Sequence, residues 1–414
     1  MTKEKGIPQI RFSGFTDTWE QHKLGDHSEI VAGGTPNTGH PEYWNPKEIP
    51  WMSSGEINNK VIYSTDNMIS KIGFSNSSAK WVKEKSVLIA LAGQGKTRGT
   101  VAISEIPLTT NQSIAAIQPD SFLYYKFLFQ NLEERYNELR EVSSGDGTRG
   151  GLNKQIISDL EVLAPEIQEQ IKIGDFLCGI DTLITLHQRK YDKLTKVKKA
   201  MLEKMFPKNG SPYPEIRFKG FTDAWEQRKL GEISESFEYG LNAAATEYDG
   251  KHKYIRITDI DDSTHLFLQD DLTSPDIDFS TADDYLLQEG DVLFARTGAS
   301  VGKTYIYRRS DGDLYFAGFL IRAKIKSDYD ADFVFQNTLT DSYDSYIRIT
   351  SQRSGQPGVN AQEYANFALS VPSLAEQKKI GAYFSHLDSL ITLHQRKLEK
   401  LKNIKKACLE KMFV

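Results

Sequence analysis

The chain has 414 residues, enough for two or more domains with their own cores. Its composition, 39% hydrophobic and 26% charged, is that of an ordinary soluble globular protein. The net charge of −5 argues against binding of nucleic acid through bulk positive charge, although the local distribution of charge matters more than the sum.

Targeting and metal signals are lacking in the sequence. No apolar run approaches the roughly 20 residues that a membrane span needs, and the first six residues contain no apolar signal segment, so we expect a cytoplasmic protein. The two cysteines, Cys178 and Cys408, have no neighbouring cysteine or histidine at metal-ligand spacing. We expect both to be small apolar residues without a metal or redox role.

The chain opens with a segment that returns in its second half. Residues 10–25 read IRFSGFTDTWEQHKLG and residues 216–231 read IRFKGFTDAWEQRKLG, so three of sixteen positions differ. We call each copy an opener. Its aromatic residues, with the leucine that follows them, predict a short turn fixed to the edge of a core.

The two segments that follow the openers, about 26–164 and 232–371, differ in almost all of their sequence. Both combine strand-like runs with helical stretches and predict mixed α/β domains. The predicted strands lie at 87–91, 113–117, 254–257, 291–295 and 320–325, and the predicted helices at 122–141 and 331–346. Three local patterns recur, at 49–57 with 254–260, at 93–99 with 296–304, and at 143–155 with 352–362.

Each variable segment leads into a long helical pattern that contains the same eight residues, LITLHQRK, at 183–190 and 390–397. Positions spaced alternately by four and three residues share one helix face, as in a coiled coil, and two like seams in one chain are most simply satisfied by each other. The polar residues of the seam would fix its register. The predicted seam comprises Ile180, Ile184, His187, Tyr191, Leu194, Lys198, Met201 and Met205, and Leu387, Ile391, His394, Leu398, Leu401, Lys405, Cys408 and Met412.

The repeats divide the chain into two tandem halves. We predict a first recognition domain at 1–165, a first helix at 166–207, a linker and second domain at 208–372, and a second helix at 373–414. Three prolines in the linker cannot continue the preceding helix. A period near 200 residues indicates domain duplication rather than a solenoid.

Basic residues are concentrated on the second part of each helix. Residues 187–204 and residues 394–411 each contain seven lysines and arginines against two acids. A basic helix face is usually only solvated, but the same excess on both helices favours an anionic or acidic partner.

Catalytic motifs were sought and not found. The Gly-Lys-Thr sequences at 95–97 and 302–304 lack the glycine that a P-loop needs five residues earlier, where Ala90 and Thr297 stand. No HExxH, paired CxxC, GxSxG or methyltransferase motif occurs, so we expect a non-enzymatic chain without a metal site. On the apolar seam, His187 and His394 are interpreted as register-setting residues rather than metal ligands.

The polar and basic turns that recur in both variable domains suit contacts with DNA, because Arg and Lys meet phosphates while Arg, Gln, Ser and Thr also bind base edges. The candidate DNA-binding residues are Ser53, Ser54, Gln94, Lys96, Thr97, Arg98, Arg149 and Lys154 in the first domain, and Arg256, Thr258, Arg296, Thr297, Lys303, Arg353 and Gln356 in the second.

Taken together, these features resemble the specificity subunit of type I restriction–modification systems. The resemblance covers essentially the whole chain. It is carried by the openers with Trp-Glu-Gln-x-Lys-Leu-Gly, the passage from a proline to Glu-Gln before each helix, the repeated LITLHQRK, and the helix ends Leu-Glu-Lys-Met-Phe at 202–206 and 409–413.

The resemblance implies an α+β fold in which two target recognition domains each read half of a split DNA site, while the two conserved helices pack as an antiparallel coiled coil. It implies that the helices set the spacing and dock the methyltransferase subunits, two in number, with restriction (helicase–nuclease) subunits as further partners. S-adenosylmethionine, ATP and Mg would then lie on the partner subunits, and this chain would bind no cofactor.

Two alternatives stay open at this point. The chain could be an orphan or decoy protein that uses the same fold in anti-restriction, or an interaction scaffold whose basic helices bind acidic protein. A salt-dependent shift of DNA mobility would exclude the scaffold.

Overall fold

The computed structural model describes residues 6–92, 97–142, 151–208, 210–353 and 355–414. The chain forms two compact units: unit 1 is Met1–Leu186 with Lys397–Val414, and unit 2 is His187–Arg396. Each unit therefore contains a variable domain together with part of both long helices. Among the described residues, no helix combines the length and the apolar character of a membrane span.

The first half of the chain contains ten strands and five α-helices within the described ranges. The strands are β1 Glu20–Lys23, β2 Ser28–Ala32, β3 Ile49–Met52, β4 Val61–Ile62, β5 Asn67–Ile69, β6 Ser86–Ala90, β7 Val101–Ser104, β8 Thr109–Thr110, β9 Ile114–Pro119 and β10 Glu161–Ala164. The helices are α1 Lys71–Ser75, α2 Tyr125–Glu134, α3 Tyr136–Val142, α4 Lys154–Ser158 and the long α5 Ile167–Lys204.

The second half repeats this pattern with small changes. Its strands are β11 Glu226–Lys229, β12 Ser234–Tyr239, β13 Ala245–Glu247, β14 Lys253–Ile255, β15 Thr273–Pro275, β16 Val292–Ala295, β17 Thr304–Ile306, β18 Leu314–Phe316, β19 Leu320–Ile325 and β20 Ala368–Val371. Its helices are α6 Leu230–Ile233, α7 Ala331–Asn337, α8 Asp341–Thr350, α9 Ala361–Ala365 and the long α10 Leu374–Met412.

The two halves share the strand order of their central sheet despite their different sequences, whereas the short strands around it pair differently. The sheet β2-β9-β6-β7-β4 of unit 1 corresponds to β12-β19-β16-β17 of unit 2, and all pairings along β2-β9-β6-β7 and β12-β19-β16-β17 are antiparallel. A parallel pair of short strands, β3 with β8 or β14 with β18, lies beside each sheet. The opener strand pairs with the last strand of its domain, as β1 with β10 and β11 with β20.

The inner strands β6 and β16 explain the strongest sequence signal. Every side chain of both strands is buried. Alternate side chains enter different cores because successive residues of a strand point to opposite faces. Val87 and Ile89 join the large core of unit 1, whereas Leu88 joins a smaller one on the other face. A run of apolar residues without alternation follows from this burial on both faces.

The α+β class and the predicted strands are confirmed, whereas the two predicted helices of the variable domains are each divided in two. The stretch predicted over 122–141 forms α2 and α3, and the stretch predicted over 331–346 forms α7 and α8. Thr340 separates α7 from α8. Its side chain accepts a hydrogen bond from the backbone N of Tyr343 and so caps the start of α8.

An arginine of each opener is clamped by the start of a long helix. Arg11 donates two hydrogen bonds to the Glu169 carboxylate, at 2.7 and 2.8 Å, and Arg217 donates the same pair to Glu376. Both glutamates are buried. The hydrogen bond from the arginine to the glutamate raises the pKa of Arg11 and of Arg217 above the ordinary value. The bidentate geometry explains why both openers keep the arginine and why both helices have a glutamate in their first turn.

The glutamine beside each clamping glutamate ties the helix to its variable domain. The side chain of Gln170 accepts from the backbone N of Tyr124 and donates to the carbonyls of Phe122 and Pro165. Gln377 makes the corresponding bonds to the N of Asp330 and to the carbonyl of the preceding proline. A buried amide with hydrogen bonds to two segments fixes the orientation of the domain on the helix start.

The repeated helix ends also have a structural role, inside each unit. In unit 1, Phe413 packs at 6.2 Å from the ring of Trp19, and the carbonyl of Lys411 accepts from the N of Ile10. In unit 2, Phe206 packs at 6.2 Å from the ring of Trp225, and the carbonyl of Lys204 accepts from the N of Ile216. Each opener therefore holds the end of one long helix and the start of the other.

We predict that Glu376→Gln lowers the free energy of unfolding by about 2–4 kcal/mol, because Arg217 would lose its counter-charge within a buried pair. Urea-induced unfolding followed by circular dichroism measures the change.

Glu215→Gln is the matched control for this substitution. Glu215 pairs with Lys204 at 2.6 Å but is 66% exposed, so the loss should stay within about 1 kcal/mol. Equal unfolding midpoints for the two variants would show that the arginine clamp does not hold the domain.

Candidate nucleic-acid interface

The turn after the inner strand has the same backbone register in both domains. Gly99 N and Gly302 N each donate to the carbonyl of the last residue of the preceding strand, at 3.0 Å in both, and both glycines have positive φ values, 82° and 88°. The residue after each glycine is Thr100 in one domain and Lys303 in the other. The two Gly-Lys-Thr sequences therefore do not occupy equivalent positions in the two domains.

Several loops of unit 2 meet beside Arg296. Its backbone N donates to the carbonyl of Phe319 at 3.0 Å, and its carbonyl accepts from the N of Val359 at 2.9 Å. Gly298 N donates to the carbonyl of Pro357 at 3.0 Å. The turn after β16 thus lies between the β18–β19 turn and the loop before α9.

We call the side chains that line this junction loop surface 2, and they are Tyr239, Arg296, Thr297, Phe319 and Gln356. Arg296 and Thr297 are half-buried, and the other three are exposed. The guanidinium of Arg296 lies 5.0 Å from the centre of the Tyr239 ring, and its Nη1 reaches the carbonyl of Gly318 at 3.5 Å. Within the described ranges Arg296 has no carboxylate partner. Its donors therefore stay available to a ligand, in an orientation that the ring supports.

The other two candidate arginines of the second domain are held by local acids. Arg256 donates to both carboxylate oxygens of Asp259, at 2.8 and 2.9 Å, and this hydrogen bonding raises the pKa of Arg256. Thr258 is exposed beside this pair and donates to Asp259 at 3.2 Å. Arg353 pairs with Glu363 and also donates to the carbonyls of two neighbouring residues.

Lys303 lies apart from loop surface 2. Its ammonium donates to the carbonyl of Ile260 at 3.0 Å and pairs with Asp262. It lines a groove of about 850 Å³ in unit 2, together with Lys198 of the long helix and Arg348 of α8. Of the candidate residues of the second domain, Arg296, Thr297 and Gln356 therefore lie together at one junction. Lys303 lies elsewhere in the unit.

The corresponding junction of unit 1 has the same backbone hydrogen bonds around Leu91. Its N donates to the carbonyl of Ser113 at 2.8 Å, and its carbonyl accepts from the N of Leu152 at 3.0 Å. In the neighbouring loop, Thr35 donates to the side chain of Gln112, which is exposed. We call Thr35, Gln112 and Ser113 loop surface 1.

The candidate residues of the first domain are spread around this junction. Ser53 and Ser54 begin a short 3-10 helix after β3, and the N of Asn111 donates to the carbonyl of the residue before Ser53. Lys154 is exposed in the first turn of α4, and Thr97 and Arg98 are half-buried. Three further candidates, Gln94, Lys96 and Arg149, lie outside the described residues.

Sequence reasoning missed the two aromatic residues of loop surface 2, Tyr239 and Phe319, and the polar Gln112 of loop surface 1. Each belongs to a turn or strand end without a recurring motif. The available signal was the position of Phe319, which follows an Ala-Gly pair directly before a predicted strand. That pattern predicts a turn but gives no exposure.

Every side chain of the predicted helix seam is buried or half-buried. In unit 2, His187 Nδ1 lies 2.8 Å from His394 Nδ1, and Lys198 Nζ lies 2.6 Å from Asp388. In unit 1, Lys405 Nζ lies 2.6 Å from Asp181, and Leu401 and Cys408 pack against the core. The seam lysines therefore pair with acids on the opposite helix and not with each other. The other seam residues, also buried or half-buried, are Ile180, Ile184, Tyr191, Leu194, Met201, Met205, Leu387, Ile391, Leu398 and Met412.

A family model described as the type I restriction modification DNA specificity domain matches the chain twice, at residues 16–196 and 222–403. The chain belongs to this specificity family. The predicted membership is confirmed, and the two matches correspond to the two halves that the repeats define.

Named relatives agree with this membership. The chain is 29% identical over 308 residues to the type I restriction enzyme MjaIX specificity subunit of Methanocaldococcus jannaschii, covering 68% of this chain and 67% of that one. It is 21% identical over 412 residues to the MjaVIII specificity subunit of the same organism, covering 98% and 94%.

A solved structure shares the fold of this specificity-family chain. The crystal structure of the type I restriction–modification system S subunit from M. genitalium superposes with a TM-score of 0.64 at 15% identity, over 98% of this chain and 99% of that one. In the described part of this chain, no group of three or more His, Cys, Asp or Glu side chains is arranged to hold a metal ion.

Among the three arginines of the second domain, we predict that Arg296→Ala changes base preference most. Loss of a bidentate contact with a base costs about 1–3 kcal/mol at one position, whereas loss of a phosphate contact weakens all sequences alike. Binding to a library of half-sites at fixed salt measures both effects.

The variants Arg256→Ala and Arg353→Ala serve as controls for the arginine test, because their guanidinium groups already bind local carboxylates. If all three variants keep the base preference of the wild type, loop surface 2 is not the recognition surface.

Proposed function

We propose that the chain is the DNA-recognition subunit of a type I restriction–modification complex, in which each variable domain reads one half of an asymmetric bipartite site. One observation carries this proposal. The same backbone junction presents different side chains in the two domains, Arg296 with Phe319 in one and Leu91 with Ser113 in the other. A constant scaffold with divergent exposed residues suits two readers of different sequence.

The two long helices, in the same proposal, form an antiparallel coiled coil that sets the distance between the half-sites. Contacts within each unit support this. In unit 2 the pairs are His187 with His394 and Lys198 with Asp388, so the residue number rises along one helix while it falls along the other. Helices of 38 and 39 residues span about 57 Å at 1.5 Å per residue, more than the 34–36 Å of about one duplex turn.

The outward face of the repeated octapeptide is our proposed docking site for the methyltransferase subunits. A coiled-coil seam constrains about two of every seven positions, yet all eight residues are identical in both copies. Leu183 and Leu186 are 44% exposed in unit 1, and Leu393 is 45% exposed in unit 2. Leu186 and Leu393 occupy equivalent positions of the two copies and are both exposed, which supports an apolar contact used twice, hence two methyltransferase subunits.

The chemistry belongs, in this proposal, to the partner chains. S-adenosylmethionine, ATP and Mg are bound by the methyltransferase and restriction subunits, which act on the cell's DNA in the cytoplasm. The linear domain boundaries at 165, 207 and 372 remain part of the same proposal. Turnover of DNA by the rigorously pure chain, with all three small molecules present, would contradict the division of labour.

We predict that recognition is modular. Replacing residues 232–371 by a second copy of residues 26–164 should give a protein whose two half-sites both carry the sequence read by the first domain. Each exchanged segment starts directly after the opener, and β1 or β11 offers the same pairing to the incoming last strand. Binding-site selection from a random duplex library, with the wild-type chain in parallel, gives the result.

The modular prediction fails if the exchanged protein folds but keeps the original second half-site. Thermal unfolding identifies a misfolded product. Replacement of residues 232–371 by their own sequence with silent codon changes controls for the cloning procedure.

We predict an energetic coupling of about 1 kcal/mol between Lys198 and Asp388, within the range of neighbouring residues in one network. The four proteins of a double-mutant cycle, with Lys198→Ala, Asp388→Ala and both, are compared by urea unfolding. Only an antiparallel pairing brings these two positions of the helices together.

The exposed pair of Lys406 and Glu410 lies on one helix at 3.9 Å and is the control for the cycle. Its coupling should not exceed about 0.5 kcal/mol. A coupling between Lys198 and Asp388 no larger than that of the control would contradict the proposed helix pairing.

A further inference from the structure

Phe319 is an aromatic side chain on loop surface 2 to which the sequence assigns no role. It is 61% exposed and stands in the short turn between β18 and β19. Single exposed apolar residues are common on protein surfaces and need no explanation alone. The surroundings of Phe319 are what distinguish it.

The backbone of this turn is held on several sides. Gly318 N donates to the carbonyl of Leu241 at 2.6 Å, and Ala317 N donates to the carbonyl of Ile255 at 3.0 Å. The carbonyl of Phe319 accepts from the turn after β16. These bonds join the turn to the segments that follow β12 and β16 and to the last residue of β14, so the base of the ring has a fixed position. A rigid aromatic residue makes contacts at a low cost in conformational entropy.

The polar neighbours of the ring are residue types that bind base edges in the major groove. Arg suits the O6 and N7 atoms of guanine, and Gln suits the N6 and N7 atoms of adenine. The backbone N of Arg296 donates to the carbonyl of Phe319, and Gln356 lies beside Gly298, two residues after Arg296 in the turn that follows β16. Where a glutamine binds adenine, the paired thymine presents its C5 methyl in the same groove, and an apolar ring is complementary to that methyl.

At the equivalent backbone position, the first domain has a serine in place of this ring. Ser113 occupies the equivalent backbone position, because its carbonyl accepts from Leu91 as the carbonyl of Phe319 accepts from Arg296. An apolar contact at this place would therefore exist in the second domain only, where it would help to make the two half-sites different.

We propose that the ring of Phe319 contacts the C5 methyl group of a thymine in the half-site read by the second domain, an inference that rests on the proposed function. The contact is apolar, makes no covalent bond, and determines specificity at one base pair. Deleting either partner, the ring or the methyl group, removes the same contact.

The test uses the full chain in complex with its methyltransferase subunits and duplexes selected from a random library. In the best duplex, each thymine of the second half-site is replaced in turn by deoxyuridine, which lacks the methyl group. One replacement should weaken wild-type binding by about fourfold, the value expected for one buried methyl group. In Phe319→Ala the same replacement should have no effect, and the preference for thymine at that position should be lost.

Two further variants sharpen the outcome. Phe319→Leu keeps an apolar side chain and should retain most of the methyl effect. Ile349→Ala removes another exposed apolar side chain of the same domain, 70% exposed on α8, and should leave the selected sequence unchanged. Thermal unfolding shows whether each variant is folded, which is expected because both side chains are exposed.

Failure of this inference can be distinguished from failure of the proposed function. If the wild-type complex selects no bipartite sequence, the proposed function is wrong. If it selects one, and Phe319→Ala keeps the same half-site and the same response to deoxyuridine, the inference is overturned. A uniform loss of affinity for all sequences, without change at any thymine, overturns it as well.

Discussion

Two bidentate ion pairs, one in each unit, fix each opener to the start of a long helix. Arg11 with Glu169 and Arg217 with Glu376 are nearly identical in distance and burial. A buried carboxylate without its arginine would leave an uncompensated charge, so neither residue of a pair can change alone. The same openers hold the aromatic ends of the helices. The segments that are repeated in the two halves are therefore those that join a helix to its domain.

The freedom of the variable domains follows from this arrangement. Their central sheets have the same order of four strands with different side chains, because backbone hydrogen bonds of the sheets and turns do not depend on side-chain identity. The inner strands need only apolar residues of suitable volume, as in Val87 and Val292. Side chains at the edge of the loop junction, such as the exposed Phe319 and Gln112, are under neither constraint. Recognition can therefore diverge while the frame remains constant.

The parts of the fold that could be predicted from the sequence are those encoded by patterns within one short stretch of the chain. The helices and the inner strands were predicted because their apolar patterns are continuous along the chain. The division of the predicted helix at Thr340 was missed, since a single capping residue competes with a pattern that looks continuous. The sequence also did not show that Gly302 corresponds to Gly99. That correspondence is set by a hydrogen bond from each glycine to the preceding strand and not by the repeated Gly-Lys-Thr. For the candidate site, the sequence places Asp259 three residues after Arg256 and leaves open whether they pair, as they do in the structure. Phe319 was overlooked because its exposure depends on distant segments.

The central claim is that one constant frame carries two different readers of DNA. Sequencing of methylated bases in the genome of cells that express this chain with its own methyltransferase and restriction subunits tests that claim most directly. The account predicts methylation at one asymmetric site made of two short specified sequences separated by a fixed number of unspecified base pairs. Methylation at a single uninterrupted sequence, or at a site whose two halves are identical, would contradict it.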